Sequence, residues 1–373
     1  MNTSTTRTAY SSLADFAPDW AIPPGETIAE ALMERGWTQV EFAERIGSSI
    51  KQVNQLMHGL APITQETAEK LEVVLGSTAR FWGALELQYR VQLSRRKVLA
   101  ALESEIGWLR ELPLAHMKKF GWIRSHSSKT EQVLDCLKFF AVWDVSSWRS
   151  KYSTAVAAYR ATPKLTRNPV AVSTWLRQCE RKSVELFCDN YSESTFKAVL
   201  KGIRDLTKER SPDVFLPRLT ALCASAGVAV VLEPAPPGCP VSGATKWLSS
   251  DKALIMLSVR GKTDDKLWFT FFHEAGHILL HGKSLTFLDI FGEDGLDPIQ
   301  EDEANVFARN RLISPNEYER FVSAGLTYSA NRVEAFAAQI GVSPGVVVGR
   351  LQHDKHLPLN YLNRLKVSYR WKP

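Results

Sequence analysis

The run DDKLWFTFFHEAGHILLH, residues 264–281, constrains this chain more than any other stretch. It opens on two acidic residues that suit the positive end of a helix, is apolar along most of its length, and is followed by Gly282, a helix stop. Within it His273 and His277 stand four residues apart, so both imidazoles project from one face about one turn from each other. That is the spacing two ligands of a tetrahedral zinc ion require. Glu274 lies beside the same face, where it can hold a water molecule without itself ligating. The competing reading, a buried helix with two hydrogen-bonded histidines, needs no third donor downstream.

A third donor is available. Two histidines plus a carboxylate leave one position of a tetrahedral ion open for water, and the segment QEDEANVFARNRLI, residues 300–313, offers Glu301, Asp302 and Glu303. On a helix Glu301 and Asn305 share a face while Val306, Phe307 and Leu312 turn toward the core. Glu301 is therefore the expected donor, with Asn305 supporting an imidazole from behind, and Glu303 is the competing donor. The five cysteines are odd in number and form no CxxC pair, so neither a disulfide scaffold nor a thiolate metal site fits. Inert thiols in a reducing cytoplasm are expected.

At 373 residues the chain is too long for one ordinary core and is expected to be multidomain. No apolar run approaches the roughly 20 residues of a membrane-spanning helix, and the start lacks a secretory core. No membrane association and a cytoplasmic location are therefore expected. The fold class is mainly α, of the α+β kind, with four stretches. Residues 1–20 form a flexible arm, 21–90 a compact all-helical unit, 91–210 a basic helical linker or middle region including a loop at 161–169, and 211–373 a domain with a small β-sheet and a C-terminal helical extension. Strands are expected at 228–232 and 253–259, with a third at 245–248. Residues 21–90 hold 6 Lys/Arg against 9 Asp/Glu and residues 91–210 hold 22 against 12, so the positive field sits in the middle third. Such a field faces nucleic acid, an acidic partner or plain solvent.

In the helical unit, TQVEFAERIGSSIKQVNQLMHG has a helix-turn-helix arrangement. Ala43 is small where two helices cross, Gly47 permits the turn, and Val53 and Leu56 fix the second helix to the core. Ser49 caps that second helix, leaving Lys51, Gln52, Asn54 and Gln55 for base edges or phosphates of operator DNA. Gln39 points at the backbone and Ile50 at a thymine methyl. From Pro24 to Tyr89, including the PIT turn at Pro62 to Thr64 and the pair Phe81 and Trp82, the sequence resembles the Xre-type DNA-binding domain of HigA-family antitoxins. It departs from that pattern at Ile50, where relatives often carry a basic residue. With the unit's net acidity this implies modest affinity per protomer and a homodimer on palindromic half-sites.

Residues 241–315 resemble the ImmA/IrrE family of zinc metallopeptidases through VSGATKWL, ALIMLSVRG, WFTFFHEAGHILLHG and EDEANVFARNRLISP. Carried over position by position, the resemblance implies that His273, His277 and Glu301 bind Zn2+ and that Glu274 is the general base. It also implies a narrow regulatory target, a repressor or a toxin, as protein substrate, lying extended along the sheet edge. His281, Arg309 and Tyr318 are open candidates for an oxyanion donor. The segment FAAQIGVSPGVVVGRLQ reads either as a second helix-turn-helix or, preferably, as a packing element. The alternative function is a non-catalytic antitoxin that grips a cognate toxin and represses their shared promoter. A third is a switch in which zinc occupancy alters operator affinity.

Overall fold

The computed structural model describes residues 21–152, 168–281, 298–325 and 327–371. The arm expected over residues 1–20, most of the loop at 161–169, and Gly282 lie outside the described residues. Two compact units are present, residues 1–104 and 105–373.

Among the described residues the first unit is built of five helices: α1 (Pro24–Arg35), α2 (Gln39–Arg45), α3 (Ile50–Met57), α4 (Gln65–Leu75) and α5 (Ala79–Ala101). Side-chain caps start four of them, because the first backbone N–H groups of a helix have no partner within it. Thr38, Thr64 and Thr78 each accept from the backbone N–H three residues on, and Ser49 does so within a capping box closed by Gln52. Ile28, Phe42, Val53, Leu71 and Trp82 meet in the core. The boundary drawn from the sequence at residue 90 falls inside α5, which runs on to Ala101 without a break.

The second unit is mainly helical around a small sheet, in keeping with the expected fold class. A 3-10 stretch, Leu102–Arg110, leads into α6 (Leu114–Lys119), α7 (Lys129–Phe140), α8 (Pro169–Val184), α9 (Glu193–Asp205) and α10 (Pro212–Ala224). Three strands follow: β1 (Val228–Leu232), β2 (Gly243–Ser249) and β3 (Lys252–Leu257). Their order is β1-β3-β2; β1 runs parallel to β3 and β2 antiparallel, with Val230 and Thr245 both opposite Ile255. Central β3 is buried from Ala253 to Leu257, which explains its unbroken apolar run, whereas β2 is an edge strand. Then come α11 (Asp264–Leu280), α12 (Pro298–Leu312), α13 (Pro315–Ser323), α14 (Ala330–Ile340) and α15 (Pro344–His353).

Residues 105–210 are more than a linker. Helix α8 packs on β1 and β3, and three donors from this region converge on Glu233 at the end of β1. Trp122 Nε1 donates to its Oε2 at 3.0 Å, Gln178 Nε2 to its Oε1 at 3.3 Å and Trp175 Nε1 to its carbonyl oxygen at 2.9 Å. Burial raises the Glu233 carboxyl above its ordinary range, against the pull of those donors. The stretch 336–352 is a packing element: Val346, Val347, Val348 and Leu351 are buried, and Ser343 Oγ donates to Asp264 Oδ2 at 2.7 Å at the start of α11.

Candidate metal centre

Helix α11 lies against β2 and β3 on one side and α12 on the other. Trp268, Phe271, Phe272 and Ala275 are buried toward the core. That leaves the face carrying His273 and His277 turned toward α12. The two helices meet closely at Gly276, where a Cβ would stand 3.2 Å from the Cα of Ala304, so any larger side chain would push the helices apart.

Across this contact the expected donors come together. His273 Nε2 and His277 Nε2 are 3.0 Å apart, Glu301 Oε1 is 3.1 Å from His277 Nε2, and Glu301 Oε2 is 3.5 Å from His273 Nε2. A tetrahedron with metal–ligand bonds of about 2.1 Å has edges of about 3.4 Å, so these spacings suit one shared ion. Glu301 Oε1 is buried and receives no properly directed hydrogen bond from the described residues.

The far sides of both rings are tied down. His273 Nδ1 meets Asn305 Oδ1 at 3.1 Å, which assigns the proton to Nδ1 and leaves the Nε2 lone pair facing the cluster. His277 Nδ1 meets His281 Nδ1 at 2.9 Å, and His281 Nε2 meets Glu303 Oε2 at 3.1 Å. A carboxylate only accepts, so His281 donates from Nε2, accepts at Nδ1, and thereby fixes the proton of His277 on Nδ1. Both Nε2 lone pairs then converge with the carboxylate of Glu301. This donor set fits a divalent cation. Glu303, the competing donor of the sequence reading, lies instead against His281 Nε2.

Without an ion the cluster is electrostatically tense. Burial lowers His273. His277 is also depressed by burial, yet the carboxylates of Glu301 and Glu274 outweigh that and raise it. Burial likewise works against ionised Glu301, but the neighbouring imidazoles pull its carboxyl below the usual range. Glu274 is buried, and desolvation lifts it to about 7 despite His277 and Thr245. Thr245 on β2 donates its hydroxyl to Glu274 Oε2 at 2.6 Å. Gly243 leaves room beside the other oxygen: a Cβ there would lie 2.6 Å from Glu274 Oε1, so glycine lets the edge strand approach without crowding it.

Thr245 and Gly243 had no assigned role in the sequence reading, since nothing local ties β2 to α11. The link between His277 and His281 was more accessible, because His273, His277 and His281 continue one i, i+4 stripe. Of the oxyanion candidates, His281 is committed to His277 and Glu303, while the ring of Tyr318 lies 4.3 Å from the guanidinium of Arg350. In the first unit Gln39, Ser49, Ile50, Lys51, Gln52 and Asn54 are exposed and Gln55 is half-buried. Gln52 Oε1 accepts from Ser49 N at 3.3 Å.

Comparison with family models matches residues 28–82 to the helix-turn-helix family and residues 224–352 to the peptidase family described as the IrrE N-terminal-like domain. The chain joins these two domains. The sequence HEAGH and the donor Glu301 both fall inside the IrrE-like segment, and the Ser49-capped helix inside the helix-turn-helix segment. Comparison with curated proteins gives no match. Among solved structures, an addiction module antidote protein of a HigA family from Coxiella burnetii aligns at 28% identity over 23% of this chain and 94% of its own, with a TM-score of 0.21. No helix among the described residues is long and apolar enough to cross a membrane.

Proposed function

We propose that the chain is a transcriptional regulator that binds operator DNA as a homodimer and whose IrrE-like domain is a zinc-dependent endopeptidase acting on one regulatory protein, a repressor or a toxin. The observation that carries this reading is the convergence of His273 Nε2, His277 Nε2 and Glu301 beside a buried carboxylate, Glu274. His273, His277 and Glu301 would hold the zinc. Bound there, the ion would polarise a peptide carbonyl and acidify water at its open position.

The chain's own groups supply the rest. Thr245 occupies Glu274 Oε2, so Oε1 is the oxygen left to take a proton from the attacking water. A carboxyl poised near neutrality can also return that proton to the leaving nitrogen. The open edge of β2 offers main-chain hydrogen bonds to an extended peptide running past Gly243 and Thr245, a form of strand addition. Asn305 and the His281–Glu303 pair hold the two imidazoles in the required orientation.

The test compares the zinc-loaded chain with Glu274→Gln, using proteins that co-purify with it and reading fragments by intact-mass spectrometry. General-base catalysis is worth on the order of 10²–10⁴-fold, so Glu274→Gln is expected to keep its zinc and lose cleavage by that factor. Cleavage unchanged in the zinc-retaining variant would sink the catalytic reading. Tight partner binding without Glu274-dependent cleavage would favour the antitoxin that grips its toxin.

A further inference from the structure

The row of residues along α12 continues beyond the metal centre. Glu301, Asn305 and Arg309 follow one another at i, i+4 spacing, so Arg309 stands about one turn, roughly 5.4 Å, past the residue that meets His273. There it lines a cavity of about 360 Å3 together with Phe269, Thr270, Leu312, Ile313 and Val346. The cavity adjoins the site. The ring of Phe269 is centred 6.2 Å from the imidazole of His273, and Ser242, which also lines the cavity, directly precedes Gly243 of the edge strand. A peptide paired along β2 past Gly243 would run beside its mouth.

The walls are mostly apolar, and the charges on them do not balance. Lys366 Nζ is held by Asp265 Oδ2 at 2.7 Å and by Gln352 Oε1 at 2.8 Å, while Arg350 and His353 both pair with Asp354. Asp265, the lining carboxylate, is thereby spent on Lys366. Arg309 and Lys266 remain. Arg309 is half-buried and Lys266 exposed, and neither side chain has a hydrogen-bond or ion-pair partner among the described residues. No nitrogen of Arg309 is sealed from solvent, so its guanidinium is open to a ligand. A guanidinium is a planar fork that two carboxylate oxygens fit, and apolar walls strengthen the attraction relative to an open surface.

We propose that Arg309 selects the peptide substrate by its charge: an apolar side chain fills the cavity, and an acidic side chain two residues from it pairs with the guanidinium of Arg309. Side chains two apart on an extended peptide share one side and lie about 7 Å from each other. One can therefore enter the cavity while the other meets Arg309 on its wall. Lys266, on the exposed rim, adds a weaker attraction of the same sign. The assignment deepens the peptidase reading and rests on it for the word substrate, but it is tested by binding alone.

The probe is the acetylated pentapeptide amide Glu-Ala-Leu-Ala-Glu, titrated onto the zinc-loaded full chain and followed by ligand-observed NMR. Beside it run the peptides with glutamine or lysine in place of both glutamates, the one with alanine for leucine, and the glutamine peptide with a free terminal carboxylate. The glutamate peptide is expected to bind on the order of tenfold more tightly than the glutamine peptide, since hydrogen bonds between charged partners are at stake. The lysine peptide is expected to bind more weakly than both, and loss of the leucine to cost about tenfold through lost apolar burial. Arg309→Gln should abolish the preference for glutamate, Arg309→Lys should keep part of it, and Lys266→Gln should reduce it only slightly. Zinc affinity, read by chelator competition, should be the same in all three variants. Equal affinities for the glutamate and glutamine peptides, or no measurable binding of either, overturn the assignment. So does a preference that survives Arg309→Gln, which would put the carboxylate on the metal ion instead, or one lost only together with zinc affinity. A terminal carboxylate that binds as tightly as the glutamate side chains overturns it as well. Because no turnover is read, this experiment and the Glu274→Gln comparison fail independently.

Discussion

His277 is reached by two carboxylates on α12 at once. Glu301 approaches its Nε2 directly, and Glu303 acts through His281 on its Nδ1. Only the first would be a ligand; the second sets which nitrogen carries the proton. Groups that orient metal-bound histidines typically change metal affinity by about 10–100-fold when removed. His281→Leu is therefore expected to weaken zinc binding by that factor, and Glu303→Gln by less, because its carboxylate side is 55% exposed and water can replace it. Glu301→Gln should cost more than either. Competition with a chromophoric chelator measures all three without any substrate. Equal zinc affinity in His281→Leu and the unaltered chain would show that the imidazole pair orients itself without this link. The candidate donors and their spacing were readable from the sequence because i, i+4 periodicity is local. The division of labour between Glu301 and Glu303 was only half readable, since it depends on how α12 is rotated against α11.

At the level of elements, the caps that define the first unit are also local: Thr38, Ser49, Thr64 and Thr78 each come shortly after a glycine, Gly36, Gly47, Gly59 and Gly76, a pattern visible in the sequence itself. The strands at β1 and β3 were legible as β-branched or apolar runs. Edge strand β2 was only glimpsed, because GATKWLS alternates weakly and its partner lies beyond a turn. Nothing local announced that Gly243 and Thr245 would flank Glu274, a contact made across 29 residues between Thr245 and the glutamate. The crossing of α11 and α12 is what brings the candidate donors together, and Gly276 sets its closeness. Gly276→Val forces a side chain into a position already 3.2 Å from backbone and from the ring of Phe307. Overpacking of this kind costs about 1–3 kcal/mol, and it should separate Glu301 from both histidines. The variant is expected to unfold at lower denaturant concentration and to bind zinc more weakly in parallel. Loss of stability with unchanged zinc affinity would mean that the donors are positioned independently of the helix crossing.

For the molecule as a whole, the positive middle third has a structural use that its composition concealed. Some of its charge is spent at home: Arg177 pairs with Glu180 at 3.3 Å, Arg181 donates to the carbonyl of Trp122 at 3.0 Å, and Glu180 in turn receives Lys246 of β2 at 2.6 Å. Charge counts register such residues as a field, because they do not show which basic groups a carboxylate or a carbonyl already holds. The Lys246–Glu180 pair and the donors on Glu233 bind residues 105–210 to the sheet, so the second unit is not expected to survive a cut at the boundary near residue 210. Removing the chain before residue 211 would strip α8, with fully buried Trp175 and Leu176, from β1 and leave the half-desolvated carboxyl of Glu233 without Trp122 and Gln178. Loss of one large buried side chain costs about 3–5 kcal/mol, against a net stability of roughly 5–15 kcal/mol for a whole domain. A chain starting at Glu105 is accordingly expected to unfold cooperatively and bind zinc, whereas one starting at residue 211 should aggregate or bind a hydrophobic dye in a loosely packed state. Circular dichroism, dye binding and zinc titration on the two chains decide the matter. A shorter chain that folds cooperatively with full zinc affinity would restore residues 105–210 to the status of a linker.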